Sequence, residues 1–214
     1  MQYKLIIFDL GNVLINFNHW IATNKFMKQS NRGLDYIYNL LFDSEFTKSF
    51  EEGKITGEEF FFAVKKELQL DIDYNQFLPI WNEIFYLTSD NVEVYQLANV
   101  LKTRFKIIVL SNINQLHFEY LKNNFRIFDA FERIVLSYKV GARKPDTKIY
   151  KYALDLFSLS PQEAFYFDDR ADLIEAAGRL SIKAIQFKTP SDLKSALFNA
   201  GILQPEKKTL VAGS

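Results

Sequence analysis

The chain puts a polar, reactive side chain where an apolar run stops at four places: Asp9, Ser111-Asn112, Lys144 and Asp168-Asp169. A carboxylate at the end of a buried strand can act as a nucleophile, and the carboxyl edge of an open α/β sheet, where such strand ends meet, is where these folds hold their ligands. Taken singly, each has a plainer explanation: Asp after a strand is often a turn former or helix cap, Ser-Asn is ordinary turn chemistry, and Lys before Pro is usually solvated. All of them in this order, each at the end of a strand or in the loop beyond it, point instead to one site with Asp9 as nucleophile.

The elements that must position these groups are legible from period and composition. Leu5 to Phe8 is a short, β-rich apolar run that delivers Asp9 into a glycine-containing turn. Such a run reads as a strand buried on both faces of a parallel sheet, whose carboxyl end lies at the ligand-binding edge. Further strands are expected at 105–110, 133–137, 164–167 and 183–187, with helices at 92–102, 116–122, about 149–156 and 173–180 between them. This alternation predicts a parallel sheet with right-handed crossovers. Between Trp20 and Phe85 the pattern is helical. Thr56-Gly57-Glu58-Glu59 has the capping-box form, and Phe60, Ala63, Val64 and Leu68 follow at helical spacing. The aromatics of this stretch (Phe42, Phe46, Phe50, Phe60, Phe61, Phe62, Trp81, Phe85) are expected to pack as core. The expected division is an α/β core from 1–16 and 87–204, an all-helical cap at 17–86 and a short flexible tail at 205–214.

Composition removes several classes of function. The 26 Lys and Arg balance the 26 Asp and Glu, so the basic excess of a nucleic-acid binder is missing. With no cysteine there is no disulfide, thiolate metal site or Cys nucleophile. No apolar stretch is long enough to span a bilayer, and the first residues enter a strand rather than a cleavable signal. A cytoplasmic protein is expected, monomer or homodimer, with neither nucleic acid nor membrane as a partner. Its 214 residues suit one α/β domain with a small accessory domain.

Phe8-Asp9-Leu10-Gly11-Asn12-Val13-Leu14, Val109-Leu110-Ser111-Asn112, Gly141-Ala142-Arg143-Lys144-Pro145-Asp146 and Phe167-Asp168-Asp169-Arg170 resemble the four motifs of the haloacid dehalogenase-like (HAD) hydrolase superfamily. Within it, the resemblance is greatest to small bacterial sugar-phosphatase-type members whose first motif reads Asp-Leu-Gly-Asn-Val. It implies an α/β fold with a Rossmann-like parallel sheet of order 3-2-1-4-5, a small helical cap between the first two motifs, and Asp9 facing Asp168 and Asp169 at the switch point. It also implies roles. Asp9 would attack phosphorus and become an aspartyl-phosphate. Ser111 would donate its hydroxyl to a phosphate oxygen, helped by the Asn112 backbone N–H, and Lys144 would tie the phosphate to Asp9. Asp169 with Asp168, Asp9 and the Gly11 carbonyl would hold Mg²⁺, and the substrate would be a small phosphorylated metabolite of the sugar-phosphate type.

Charge counting supports the cation separately. Three carboxylates and a phosphate dianion face a single ammonium, and at an effective dielectric of about 20 two like charges about 4 Å apart repel by roughly 4 kcal/mol. Two positions depart from the family pattern. Most of its phosphatases carry a second Asp, a general acid/base, where this chain has Gly11. That leaves three readings open: a good leaving group, such as an anomeric oxygen or another phosphate; a substitute acid, such as His19 or a metal-bound water; or low activity. Leu173 stands where the family has Asn or Asp ordering the metal loop, and Asp172 is one residue out of register as a replacement. His19 and His117 are candidate substrate contacts that packing would also explain. The competing functions are a Mg²⁺-dependent phosphatase, a 2-haloacid dehalogenase, for which Gly11 would be harmless, and a binding or regulatory protein on a catalytically weak scaffold.

Overall fold

Alternation along each strand decides how the sheet is packed. In the computed structural model, which describes residues 2–204, β1 (Leu5–Phe8) lies between β4 (Lys106–Ser111) and β6 (Ala164–Asp168). β5 (Arg133–Leu136) and β7 (Lys183–Gln186) complete a fully parallel sheet of order β5-β4-β1-β6-β7. Numbered within the sheet alone, this is the expected 3-2-1-4-5 order. Ile6, Phe8, Ile107, Val109, Phe165 and Phe167 pack on one face against α6 (Ser89–Leu101), α7 (Gln115–Asn124) and α11 (Pro190–Asn199). Leu5, Ile7, Ile108, Leu110, Ala164 and Tyr166 pack on the other against α9 (Thr147–Asp155) and α10 (Ala171–Arg179). A strand covered on both sides has no polar alternation, which is why its sequence is a plain apolar run.

Several element ends differ from the sequence reading, and capping explains most of them. α6 starts at Ser89 because Thr88 and Asn91 form a capping box, and α7 starts at Gln115 because the Asn114 side chain accepts from His117 N–H. Ser137 opens a one-turn helix, α8 (Ser137–Val140), which ends at Gly141 in the left-handed region (φ 68°). The expected tail, 205–214, lies outside the described residues.

A second cluster of side chains forms around Phe26, Phe50, Phe60, Phe77 and Trp81. It is built by α1 (His19–Met27), α2 (Leu34–Tyr38) with a wide turn at Asn39–Asp43, α3 (Glu45–Glu51), α4 (Gly57–Leu68) and α5 (Tyr74–Asn82). The Thr56/Glu59 capping box is present at the start of α4. Phe62 is a correction: it is 63% exposed. Three consecutive phenylalanines on a helix point about 100° apart, so Phe60 and Phe61 turn inward and Phe62 cannot. The segment is helical except at its edge, where β2 (Asn16–Phe17) and β3 (Phe85–Tyr86) pair as a short antiparallel ribbon. This ribbon carries the chain into and out of the helical layer.

Two buried polar groups fasten these layers. Asn91, 2% exposed, donates from Nδ2 to the Val13 carbonyl and to Asn16 Oδ1 while its Oδ1 accepts from Thr88. It thereby ties α6 to the turn that follows β1. His117 lies flat on Trp81, its Nε2 3.1 Å from the Trp81 carbonyl and its Nδ1 3.0 Å from Asn114 Nδ2. With Asn114 Oδ1 already accepting from the His117 N–H, Nδ1 is the acceptor and Nε2–H the donor, so the ring is neutral. It bonds α7 of the core to α5 of the helical layer. Among the described residues no helix is long and apolar enough to cross a membrane.

Asn91→Ala strands several buried groups at once. It is expected to lower unfolding free energy by about 1–3 kcal/mol, read from urea titrations; an unchanged midpoint would show that the tie to the turn carries no energy. Burial holds the His117 imidazole down to about 3 from 6.5. The unfolded chain therefore takes a proton that the folded chain refuses, and stability falls as pH drops through that window, by about 1.4 kcal/mol per pH unit for this group. His117→Gln is expected to show a shallower pH dependence of stability there than wild type. Parallel curves would exclude His117 as the source.

Candidate active site

Neighbouring strands bring the acids together. Phe8 of β1 pairs with Phe167 of β6, so Asp9 and Asp168 leave the sheet side by side, and the Asp9 N–H still bonds the Phe167 carbonyl at 3.1 Å. One oxygen of each of Asp9, Asp168 and Asp169 falls within 4.8 Å of the others. Lys144 reaches this group from the loop beyond α8, with Nζ 2.6 Å from Asp9 Oδ1, 2.6 Å from Asp168 Oδ2 and 3.2 Å from the Tyr166 hydroxyl. It is 3% exposed, and its loop is clamped by Asn112, whose side chain donates to the Lys144 carbonyl (2.8 Å) and accepts from the Lys144 N–H (2.7 Å). The second motif therefore holds the backbone of the third.

The acids divide into two kinds. Asp168 is fully buried and satisfied by protein: Oδ2 accepts from Lys144 and from the Tyr166 hydroxyl, and Oδ1 from the Arg170 N–H at 2.9 Å. Burial alone would lift its pKa, but the Lys144 ammonium and these donors hold it below the usual carboxylate range. Asp9 is pushed up to about 7, chiefly by burial, against the pull of Lys144 and with the Asp168 charge adding to the rise. Burial would drive Lys144 towards neutrality; the charges of Asp9 and Asp168 overcome it and keep the ammonium protonated. Asp169 is raised by burial too and pairs with no lysine or arginine among the described residues. Its Oδ2 accepts instead from Asn12 Nδ2 at 2.8 Å. Asp9 and Asp169 thus lack enough positive charge, in an all-oxygen setting of the kind Mg²⁺ takes.

Asn12 supplies what Leu173 does not. Leu173 is buried in α10, and Asp172 does not compensate for it, because its carboxylate is exposed and paired with Arg170 at 2.6 Å. The ordering of the acidic loop passes to Asn12, which sits in the left-handed region (φ 55°) that Asn tolerates, one residue after Gly11.

These groups open onto a cavity of about 250 Å³ between the sheet edge and the helical layer. Asp9, Ser111, Lys144 and Asp169 form its floor, and the Ser111 hydroxyl there has no hydrogen-bond partner among the described residues. Phe17, His19, Phe42 and Glu51 come from the opposite side, and Gly11, Asn112 and His117 also border it. The His19 ring is stacked on Phe42 at 3.9 Å and held down to about 4 by burial, which keeps it neutral. His117 touches the cavity with both ring nitrogens already engaged. Arg143 Nε lies 2.6 Å from Glu51 Oε2, an ion pair between the third motif and α3.

Sequence reasoning missed Asn12, Tyr166 and the Arg143–Glu51 pair. Tyr166 was within reach, since residues two apart in a strand share a face and its hydroxyl had to end beside Asp168. Nothing in the sequence paired Arg143 with Glu51.

Comparison with known proteins identifies the family. A haloacid dehalogenase-like hydrolase family model matches residues 3–180. Drimenol cyclase of Aspergillus calidoustus is 25% identical over 92% of the chain, which spans only 36% of that larger protein. D-ribitol-5-phosphate phosphatase of Bacteroides thetaiotaomicron is 23% identical over 91% of this chain and 96% of its own. The crystal structure of a HAD family enzyme from Bacteroides thetaiotaomicron, complexed with magnesium and inorganic phosphate, superposes with a TM-score of 0.76 at 26% identity, covering 87% of this chain and 95% of that one. A match running from the first strand through the acidic pair and α10 settles the relationship: this chain belongs to the haloacid dehalogenase-like hydrolases.

Proposed function

We propose that this chain is a Mg²⁺-dependent phosphatase of a small phosphorylated sugar or polyol, working through an aspartyl-phosphate on Asp9. The observation that carries it is the cavity floor. A buried carboxylate, an unpartnered hydroxyl and a fixed ammonium converge there beside an under-neutralised second carboxylate. An Asp9 oxygen bonds to phosphorus as the bond to the leaving oxygen breaks, and water then hydrolyses the acyl phosphate and frees Asp9. Ser111 and the Asn112 backbone N–H hold the phosphate oxygens. Lys144 fixes the orientation of Asp9 and offsets its charge; all its N–H groups are already engaged, so a phosphate contact displaces the long one to Tyr166. Asp9, Asp169 and the Gly11 carbonyl, with Asp168 alongside, would hold Mg²⁺, whose charge makes the approach of a dianion to two carboxylates tolerable.

The cavity also bears on substrate size. Its volume is about 250 Å³. That suits a phosphoryl group on a short hydroxylated skeleton, and His19, Arg143 and Glu51 give the far wall a polar character. The sugar-phosphatase relative points the same way. A dehalogenase would gain nothing from Asp169 presented without a cationic partner, and a binding scaffold would not need the nucleophile, hydroxyl and ammonium in one cavity.

Asp9→Asn is expected to abolish phosphate release from an aryl phosphate and a sugar-phosphate panel, and chelation of Mg²⁺ to do the same in wild type. Turnover persisting in either would overturn the reading. Ser111→Ala is expected to lower kcat by about 10²–10³-fold, as loss of one donor to a charged transition state does. Lys144→Met leaves two buried carboxylates on no cation and is expected to cost about 3–5 kcal/mol of stability without Mg²⁺. Added Mg²⁺ should return part of it, measured by thermal unfolding.

A further inference from the structure

We propose that Arg143 and Glu51 act together as the specificity-determining pair of this site, reading neighbouring hydroxyls on the carbon skeleton that carries the phosphate. The inference rests on the phosphatase reading and names the groups that select among its substrates. Arg143 Nε lies 2.6 Å from Glu51 Oε2, and both side chains are half-buried at the border of the cavity. Charge alone holds the contact, since Nε is buried and no hydrogen bond closes on it. Arg143 Nη1 and Nη2 and the second Glu51 oxygen have no partner among the described residues. Burial outweighs the pull of Arg143 and raises the Glu51 pKa, so this carboxylate is short of donors.

Both halves of the pair are fixed by backbone. Arg143 precedes Lys144 in the loop that Asn112 clamps, so its side chain leaves the chain beside the groups that hold the phosphate. Glu51 ends α3, and the turn after it lays Gly53 directly on α8. Gly53 is in the left-handed region (φ 68°), and a Cβ there would collide with the Tyr138 carbonyl oxygen. This close approach sets Glu51 over Arg143 from the side of the helical layer.

A donor fork beside an acceptor matches a pair of hydroxyls. One hydroxyl oxygen accepts from a guanidinium N–H, its neighbour donates its O–H to the carboxylate, and both charges gain the partners they lack. The pair as a whole is neutral, and Arg170 is engaged by Asp172 at 2.6 Å. A second anion on the substrate would therefore meet Glu51 without net attraction. An apolar chain would cover the two charges and return no hydrogen bond. The skeleton this wall selects is uncharged and hydroxylated.

The test measures kcat/KM of the Mg²⁺-loaded protein for glycerol 1-phosphate, 3-hydroxypropyl phosphate, propyl phosphate and 3-phosphoglycerate, with acetyl phosphate as a probe of the cavity floor. Glycerol 1-phosphate is expected to exceed 3-hydroxypropyl phosphate by about 10–10²-fold, what one hydrogen bond to a charged group contributes, and propyl phosphate to lie lower again. The difference is expected in KM more than in kcat. In Glu51→Gln and Arg143→Met these ratios are expected to shrink towards one, and Arg143→Lys, which keeps the charge and loses the fork, to shrink them too. A merely structural pair would lower all the esters alike and leave the ratios intact, which would overturn the proposal. Equal rates for the three esters in wild type would do so even where no variant folds. So would 3-phosphoglycerate exceeding glycerol 1-phosphate, by showing that Arg143 reads an anion. No phosphate release by wild type from any of these, acetyl phosphate included, would instead overturn the phosphatase reading itself.

Discussion

The sheet order forces two carboxylates together, and a single ammonium keeps them there. Because β1 and β6 are direct neighbours, with Phe8 opposite Phe167, the residues that follow their register emerge side by side, and both are acids. Two unshielded carboxylates at about 4 Å repel by roughly 4 kcal/mol at an effective dielectric of about 20, before any cost of burial. Lys144 lies between them at 2.6 Å from each. Its place depends on the Asn112 clamp at the end of β4, and that in turn on β4 being the other neighbour of β1. Asp9, its counter-charge and the support of that counter-charge thus come from the end of β1, the loop beyond α8 and the end of β4. No local change at one of them leaves the others as they are.

This dependence explains why the acids are unequal although they share one cation. Asp168 takes the ammonium, a phenol and a backbone N–H, whereas Asp9 shares only the ammonium. The partner with more hydrogen-bond donors stays ionised, and the burden of burial falls on Asp9. Further positive charge beside Asp9 would favour its ionised form. Asp169, pinned by an uncharged Asn12, leaves an opening where that charge fits.

Much of this was legible in the chain because strand burial, helix capping and the end-of-strand placement of polar residues are local signals. The short, β-rich apolar run at Leu5–Phe8 read as a strand covered on both faces, with Asp9 at the carboxyl edge of the sheet, and it is one. Thr56 and Glu59 announced their helix through three-residue spacing alone. What escaped were relations between distant side chains. Whether Phe62 faces in or out depends on which neighbours Phe60 and Phe61 find. Asp172, one residue out of register with Leu173, pairs with Arg170, while the side chain that bonds Asp169 is Asn12, 157 residues away in the chain. Tyr166 was the readable omission, since period two alone sets it beneath Asp168.

Gly11 ties these themes together. Its backbone lies outside the left-handed region, which falls to Asn12 instead, so conformational freedom is not what the position demands. The demand is for space: the Phe17 ring occupies the volume a side chain would need. Phe17 belongs to the ribbon that leads into the helical layer, and Asn16 beside it is bonded to Asn91, which also holds the Val13 carbonyl. The ribbon that leads into the helical layer is therefore also what crowds the space beside Gly11 in the turn after Asp9. Packing and chemistry compete for a few cubic ångströms, and in this chain packing has them.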